Sequence, residues 1–351
     1  MLNSLYIKAA SKRGSIKEII PELEGNSIVS DNWSEKNITS SDDEFSIGAG
    51  DGSFNKKKFL GFNFYAVAAE SLIFDGQLKT IEQSDIDRFP YLSYLDEFLS
   101  NYMSIFELKC CLSSLEEYNV DYYLIDGSIY GDLQNPFPKG VETSAKAKEL
   151  ISATLNDFEE MVKNPSDKSV YSPKLFNKYF KIYQEYKYPY TLYLTTIERL
   201  VVLKEILKNS RKMIAISKSS SNNDIFHSNM PDIAIFDKYT QKEGISKVIR
   251  KKVSKDINTT FPVFDEFFKD LKFTIFYLRL ADYKNVLKVE LPYEASMAEI
   301  EEIASKLKKF STNGYPYLLK KAHNDVVISD KNIKELINIA KVREKSGREM
   351  L

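Results

Sequence analysis

Two Asp-Gly-Ser triplets, Asp51-Gly52-Ser53 and Asp126-Gly127-Ser128, each follow an apolar run, Phe45 to Ala49 and Asp121 to Ile125. Asp-Gly is also an ordinary hairpin dipeptide, as Asp75-Gly76 reads, so each triplet alone fits a turn as well as a site. Taken together, they put two aspartates at the carboxyl ends of strands, with glycines that allow sharp turns. Glu107 lies between Ile105 and Leu108, at the buried edge of a helical stripe. A lone carboxylate there is costly unless it is paired or metal-bound. Glu116 and Glu117 are the alternative acids on the same helix. Three converging carboxylates repel one another and call for hard cations, Mn²⁺ or Mg²⁺. Two such ions about 4 Å apart can activate water and stabilise the leaving oxygen of a phosphodiester.

The second grouping is distal. One of only two histidines, His323, follows Asn313-Gly-Tyr-Pro-Tyr, and a helix between them brings Tyr315 towards it. Histidine serves as metal ligand or proton carrier, and tyrosine can bond a phosphate or stack on a base. Lys218 follows the apolar run Met213 to Ile216 and has the position of a phosphate-facing cation. The plain alternatives are an exposed histidine on a capped helix and a solvated loop lysine. His227, in a polar loop, is assigned nothing. Basic runs at Lys247 to Lys255, Lys306 to Lys309 and Lys320-Lys321 offer either a local track for a polyanion or solvated helix faces.

Positioning these groups requires a particular order of elements. A helix is expected over Ser15 to Leu23, then a polar loop or mobile arm over Asn26 to Asp43. Strands are expected at Phe45 to Ala49, Phe59 to Ala68, Ala69 to Phe74 and Leu78 to Ile81. The spacing of Phe98, Tyr102, Ile105, Leu108, Leu112 and Leu115 predicts a helix from Tyr94 to Tyr118. Strand Asp121 to Ile125 follows, then helices at Ser144 to Val162, Pro173 to Tyr186 and Leu192 to Asn209. Further strands are expected at Lys212 to Ile216, Ile233 to Phe236, Phe273 to Leu280 and Val286 to Leu291. A capping box at Ser296 and Glu299 opens a helix to Lys308, and a last helix runs from Lys331 to Val342. Strand with an aspartate, two more strands, a helix with a glutamate, then a strand closing on an aspartate is the order used by ribonuclease-H-like nucleases. The expected fold is therefore α/β, a ribonuclease-H-like mixed sheet with flanking helices. Residues 44–351 form the nuclease domain with a helical insertion at about 144–209, and residues 1–43 form a helix and arm.

Composition narrows the field. The 351 residues carry 49 Lys plus Arg against 50 Asp plus Glu, a net charge of −1, so bulk positive charge does not hold a nucleic acid. Cys110 and Cys111 are adjacent and only two histidines occur, which excludes a Cys/His zinc site and a disulfide framework. No apolar run reaches the roughly 18 residues of a membrane span, and no signal peptide is visible, so the expected location is cytoplasmic.

Ala49-Gly-Asp-Gly-Ser, Leu124-Ile-Asp-Gly-Ser, Ile214-Ala-Ile-Ser-Lys218 and Gly-Tyr-Pro-Tyr…Ala-His323, in this order, resemble the NurA nuclease family from about Phe45 to the final helix. The resemblance implies Mn²⁺-dependent DNA cleavage, with Mg²⁺ as the second choice of metal. It implies 5′-to-3′ exonuclease and single-strand endonuclease activity. It further implies a homodimer docked on a HerA-type hexameric ATPase in end resection for recombinational repair. By motif position Asp51, Glu107, Asp126 and His323 are metal ligands, Tyr315 is an active-site residue, and Lys218 matches the family's strand lysine. Two other classes stay open. One is an actin-like ATPase with two Asp-Gly phosphate hairpins, although no Gly-rich adenine turn is present. The other is a catalytically silent DNA-binding scaffold.

Overall fold

The computed structural model describes residues 2–17, 29–134, 136, 146–164, 166–258 and 260–342. Helix α1 (Asn3–Ser11) opens the chain and buries none of its residues. Strand β1 (Trp33–Glu35) comes next, followed by three long strands, β2 (Ile47–Lys58), β3 (Asn63–Phe74) and β4 (Leu78–Phe89). The β3–β4 turn is the Asp75-Gly76 hairpin, with Gly76 at φ +95° as the turn requires. Helix α2 (Leu95–Glu117), strand β5 (Tyr122–Asp126) and short helix α3 (Ile129–Gln134) follow. Three helices come next, α4 (Lys146–Val162), α5 (Ser172–Tyr179) and α6 (Lys187–Leu207). The chain returns to the sheet at β6 (Met213–Ser217), passes helix α7 (Asp232–Tyr239), and adds β7 (Gly244–Ser246), β8 (Ile249–Lys252), β9 (Lys272–Arg279) and β10 (Leu287–Leu291). Helices α8 (Met297–Lys309), α9 (Tyr317–Val326) and α10 (Asp330–Ile339) end the described chain.

The strands form one mixed sheet in the order β1-β7-β9-β10-β6-β5-β2-β3-β4, with β8 paired to β9. Only the β2–β5 and β5–β6 pairings in that path are parallel; the others are antiparallel. Apolar side chains leave both faces of the sheet, so both must be covered. On one face Phe98, Tyr102, Phe106 and Leu115 of α2 pack with Leu192, Ile197 and Leu200 of α6 over β3 and β5. On the other, Ile300, Ile303 and Leu307 of α8 and Leu318, Leu319 and Ala322 of α9 cover β2, β6, β9 and β10. Lys109, two residues past Glu107, donates to Glu198 of α6 at 2.7 Å, and both are buried. Glu198 also accepts from the Ser172 backbone N–H at 2.9 Å, so one carboxylate ties α2, α5 and α6 together. No helix among the described residues is long and apolar enough to cross a membrane.

Several expectations are corrected. Asp51 does not end a strand: β2 continues through Gly52 and Ser53 and stays paired with β3 to Lys58 opposite Asn63. A phosphate-gripping hairpin at Asp51-Gly52, as an actin-like ATPase needs, is absent. The runs Phe59 to Ala68 and Ala69 to Phe74 are one strand beginning at Asn63. Ile233 to Phe236 is helical, within α7. Asp232 at the head of that helix accepts from the Ile225 and Phe226 N–H groups, and Arg279 binds the Thr240 carbonyl past its end at 2.8 Å. A four-residue apolar run fits either element, and these end contacts select the helix. Pro173 to Tyr186 breaks at Tyr179, with one 3₁₀ turn at Gln184–Tyr186. Trp33–Glu35, inside the expected polar arm, pairs with β7 and buries Trp33. The helix expected at Ser15 to Leu23 is seen only in its first residues, in Arg13–Lys17; its remainder and the head of the insertion at 144–145 lie outside the described residues.

Candidate active site

Glycine at alternate positions of β2, Gly48, Gly50 and Gly52, makes a lane without side chains on the face turned to α2. A Cβ at Gly48 would stand 2.6 Å from Tyr123 Cδ2, and one at Gly50 would stand 2.4 Å from the Tyr123 hydroxyl. At Gly52 the added Cβ would meet Glu107 Oε1 at 2.3 Å and Met103 Cγ at 2.7 Å. The missing side chain thus brings the Glu107 carboxyl onto the strand, beside Asp51. Asp51 points to the opposite face, where its Oδ2 lies 2.7 Å from His323 Nδ1 on α9. Its Oδ1 accepts from the Gly52 N–H at 2.8 Å, which fixes the rotamer.

Asp126 enters from β5. The parallel β2–β5 register ends at Gly50 opposite Ile125, so β2 overruns β5 at the point where Asp126 emerges. Groups from both faces of the sheet meet beyond that end. Gly127, at φ +131°, turns the chain there and donates to the Ile216 carbonyl at 2.9 Å. Ser217 Oγ donates to the Gly127 carbonyl at 2.8 Å. The next residues are gripped from below by Glu290 of β10, which accepts from Ser128 Oγ and from the Tyr130 N–H at 3.0 Å. Glu290 is itself paired with Lys288 at 2.7 Å, and both side chains are fully withdrawn from water. This bracing pair escaped the sequence reading. Its signal was present: two charges two apart in the apolar run Val286 to Leu291 must share one buried face.

Lys218, just past β6, donates to Asp126 Oδ2 at 2.8 Å and stands 4.9 Å from the centre of the Tyr315 ring. The Tyr315 hydroxyl is buried and falls short of hydrogen-bond geometry with any described group. Burial, with the nearby Asp126 and Asp51 carboxylates, strongly holds its proton on. Glu107 is pushed up to about 8, first by loss of solvation and then by the charges of Asp51, Asp132 and Asp126. Thus all six residues singled out in sequence, Asp51, Glu107, Asp126, Lys218, Tyr315 and His323, are brought to one end of the β2–β5–β6 seam. Glu116 and Glu117 are left at the far end of α2, where Glu116 is raised by burial and by Glu205 and Glu117.

Two further acids were missed. Asp132 of α3 is raised chiefly by burial, and its charge reaches Glu107. Glu70 of β3 is the register partner of Asp51 and is pushed up to about 7 by burial and by Asp325. Among the described residues, no three His, Cys, Asp or Glu side chains stand close enough together to hold a metal ion. The chemistry of the donors nonetheless fits a hard divalent ion: three carboxylates and one imidazole. Glu107 is raised first by burial and then by repulsion from Asp51, Asp132 and Asp126, and Lys218 pairs with Asp126 alone among these acids.

A model of the NurA domain matches residues 45–328. The probable DNA double-strand break repair nuclease NurA of Methanocaldococcus jannaschii is 29% identical over 330 residues, covering 88% of this chain and 81% of that protein. The crystal structure of the NurA nuclease from Sulfolobus solfataricus superposes with a TM-score of 0.74 at 25% identity, over 97% of each chain. A crystal structure of NurA bound to dAMP and manganese shares the fold, with a TM-score of 0.68 at 16% identity over 99% of this chain and 98% of that one.

Proposed function

The chain belongs to the NurA family, and from that premise we propose that it is a divalent-metal-dependent DNA nuclease of double-strand break repair. The observation that carries the reading is the convergence of Asp51, Glu107, Asp126 and His323, from four separate elements, where β2 overruns β5. These four would hold Mn²⁺, or Mg²⁺ in its place, in a two-metal site. When bound, the metal pair supplies an activated water and charge relief at the leaving oxygen. The protein supplies the rest. Asp51 orients the His323 ring, Gly52 admits Glu107, and Glu290 with Gly127 aims Asp126. Lys218 brings an ammonium to the edge of the site, and Tyr315 offers a hydroxyl that stays protonated and can donate to a phosphate oxygen.

The finer reading follows the family. The antiparallel meander β4-β3-β2 continuing into parallel β5 and β6 supports a ribonuclease-H-like core within 44–351, with 144–209 as its helical insertion. The activities proposed are 5′-to-3′ exonuclease and single-strand endonuclease, in a homodimer docked on a HerA-type hexameric ATPase. Incubation with end-labelled single-stranded DNA tests the reading. Cleavage is expected with Mn²⁺, less with Mg²⁺, little with Ca²⁺, whose looser geometry places water badly. Full activity in EDTA would overturn it.

A further inference from the structure

Beside the catalytic groups lies a cavity of about 430 Å³, lined by Lys218, Tyr315 and His323 together with Lys284, Asn313 and Lys320. Two turns meet there: Gly314 adopts φ +78°, and a Cβ on it would stand 2.7 Å from Lys284 Cβ. Lys320 lies one helical turn before His323 on α9, so both reach the same cavity. Most lysines near the site are ion-paired, as Lys218 is to Asp126 and Lys321 is to Asp325. The side-chain ammonium groups of Lys284 and Lys320 have neither a hydrogen bond nor an ion pair among the described residues. Two uncommitted ammonium groups in one cavity ask for an anion. The rest of the lining combines Leu287, Thr312 and the Tyr315 ring with the Asn285 amide, surfaces that suit a sugar and base. The volume falls in the range of about 300–1,000 Å³ typical of small-ligand sites.

We propose that this cavity receives the first nucleotide of the strand being degraded, with Lys284 and Lys320 clamping its 5′-terminal phosphate. The inference rests on the nuclease reading and adds to it a preference for phosphorylated 5′ ends. A terminal phosphomonoester carries close to two negative charges near pH 7, against one for each internal diester, so a two-lysine clamp favours an end over the interior of a strand. Because His323 lines this cavity and also contacts Asp51, an end held here would present a phosphodiester close to that end to the carboxylates.

The test compares binding and cleavage. A fluorescent single-stranded decamer is prepared with a 5′-phosphate, with a 5′-hydroxyl, and with a 3′-phosphate and 5′-hydroxyl. Its anisotropy is measured in EDTA, so that no cleavage intervenes. The wild-type chain should bind the 5′-phosphate form roughly tenfold more tightly than the other two, as charge-assisted hydrogen bonds to one extra charge imply. The double variant K284A/K320A should lose that preference, and K284R/K320R should keep it. Both lysines are exposed, so the fold should survive either change. With Mn²⁺, the ratio of 5′-phosphorylated linear to circular single-strand cleavage should fall about tenfold in K284A/K320A. Equal affinity for all three ends, preference for the 3′-phosphate, or an unchanged preference in the double variant would overturn the proposal. Cleavage without end discrimination sinks the pocket alone, whereas discrimination in binding with no Mn²⁺-dependent cleavage supports the pocket and sinks the nuclease.

Discussion

Asp51 and Asp75 are the same residue type in the same dipeptide, and the structure separates them. Asp75 sits at an exposed hairpin and pairs with Lys79, whereas Asp51 faces His323 and charges the pocket of Glu107. Asp51→Asn should abolish cleavage, and Asp126→Asn should do the same. Each should keep or raise the melting temperature without metal, because clustered carboxylates repel. Asp75→Asn should leave both activity and melting temperature near wild type, since Asn-Gly turns as well as Asp-Gly. Equal activity in Asp51→Asn and Asp75→Asn would remove Asp51 from the site. Glu107 gives a pH dependence of definite sign. Its folded pKa is about 8 against an ordinary 4.5, so the folded apoprotein is favoured when Glu107 is protonated. Stability of the apoprotein should fall as pH rises from about 4.5 towards about 8, and Glu107→Gln should flatten that slope in thermal melts. A metal must displace the same proton, so Mn²⁺ affinity read by calorimetry should climb with pH and level off above about 8.

At the scale of elements, what places these residues is the absence of side chains as much as their presence. Gly52→Ala should keep the sheet but push Glu107 off β2, since Met103 and Glu107 already occupy the space. Loss of Mn²⁺ affinity with an unchanged circular dichroism spectrum is the expected outcome; wild-type affinity would show that Glu107 reaches the metal by another route. The Lys288–Glu290 pair makes the opposite case. Glu290→Leu leaves a buried ammonium unpaired and should cost about 3–5 kcal/mol in chemical denaturation. Lys288→Met together with Glu290→Leu should recover much of that stability, but not activity, because Ser128 and Tyr130 lose their acceptor. The long helix and the β5 strand were legible because their periods are strong, as Phe98 to Leu115 shows. The Gly48-Gly50-Gly52 lane was less so: Asp-Gly reads as a turn until a helix is known to lie against it. Ile233 to Phe236 was misread because four apolar residues carry no period, and its helical ends are set by Asp232 and by Arg279, more than forty positions later.

For the whole molecule, a large mixed sheet with flanking helices was foreseeable from the succession of elements, whereas the path β1-β7-β9-β10-β6 across it was not. The cavity beside His323 was not, because it joins the β9–β10 turn to a turn near residue 314 that no local pattern links. Helix α1 stands apart from this compact arrangement. It exposes Leu2, Leu5, Tyr6 and Ile7 and buries nothing, although a nine-residue helix is marginal alone. Deleting residues 2–17 should weaken co-elution with a HerA-type ATPase and spare cleavage of short single strands; unchanged co-elution would place the docking surface elsewhere. The contact between Asp51 and His323 spans 272 positions of sequence. On a translating ribosome, strand β2 emerges long before helix α9, so the growing chain holds its acids well before its imidazole. On the nuclease reading, a chain that stops before Tyr317 has Asp51 without its imidazole partner and should cleave nothing, so the activity switches on only once α9 has been made.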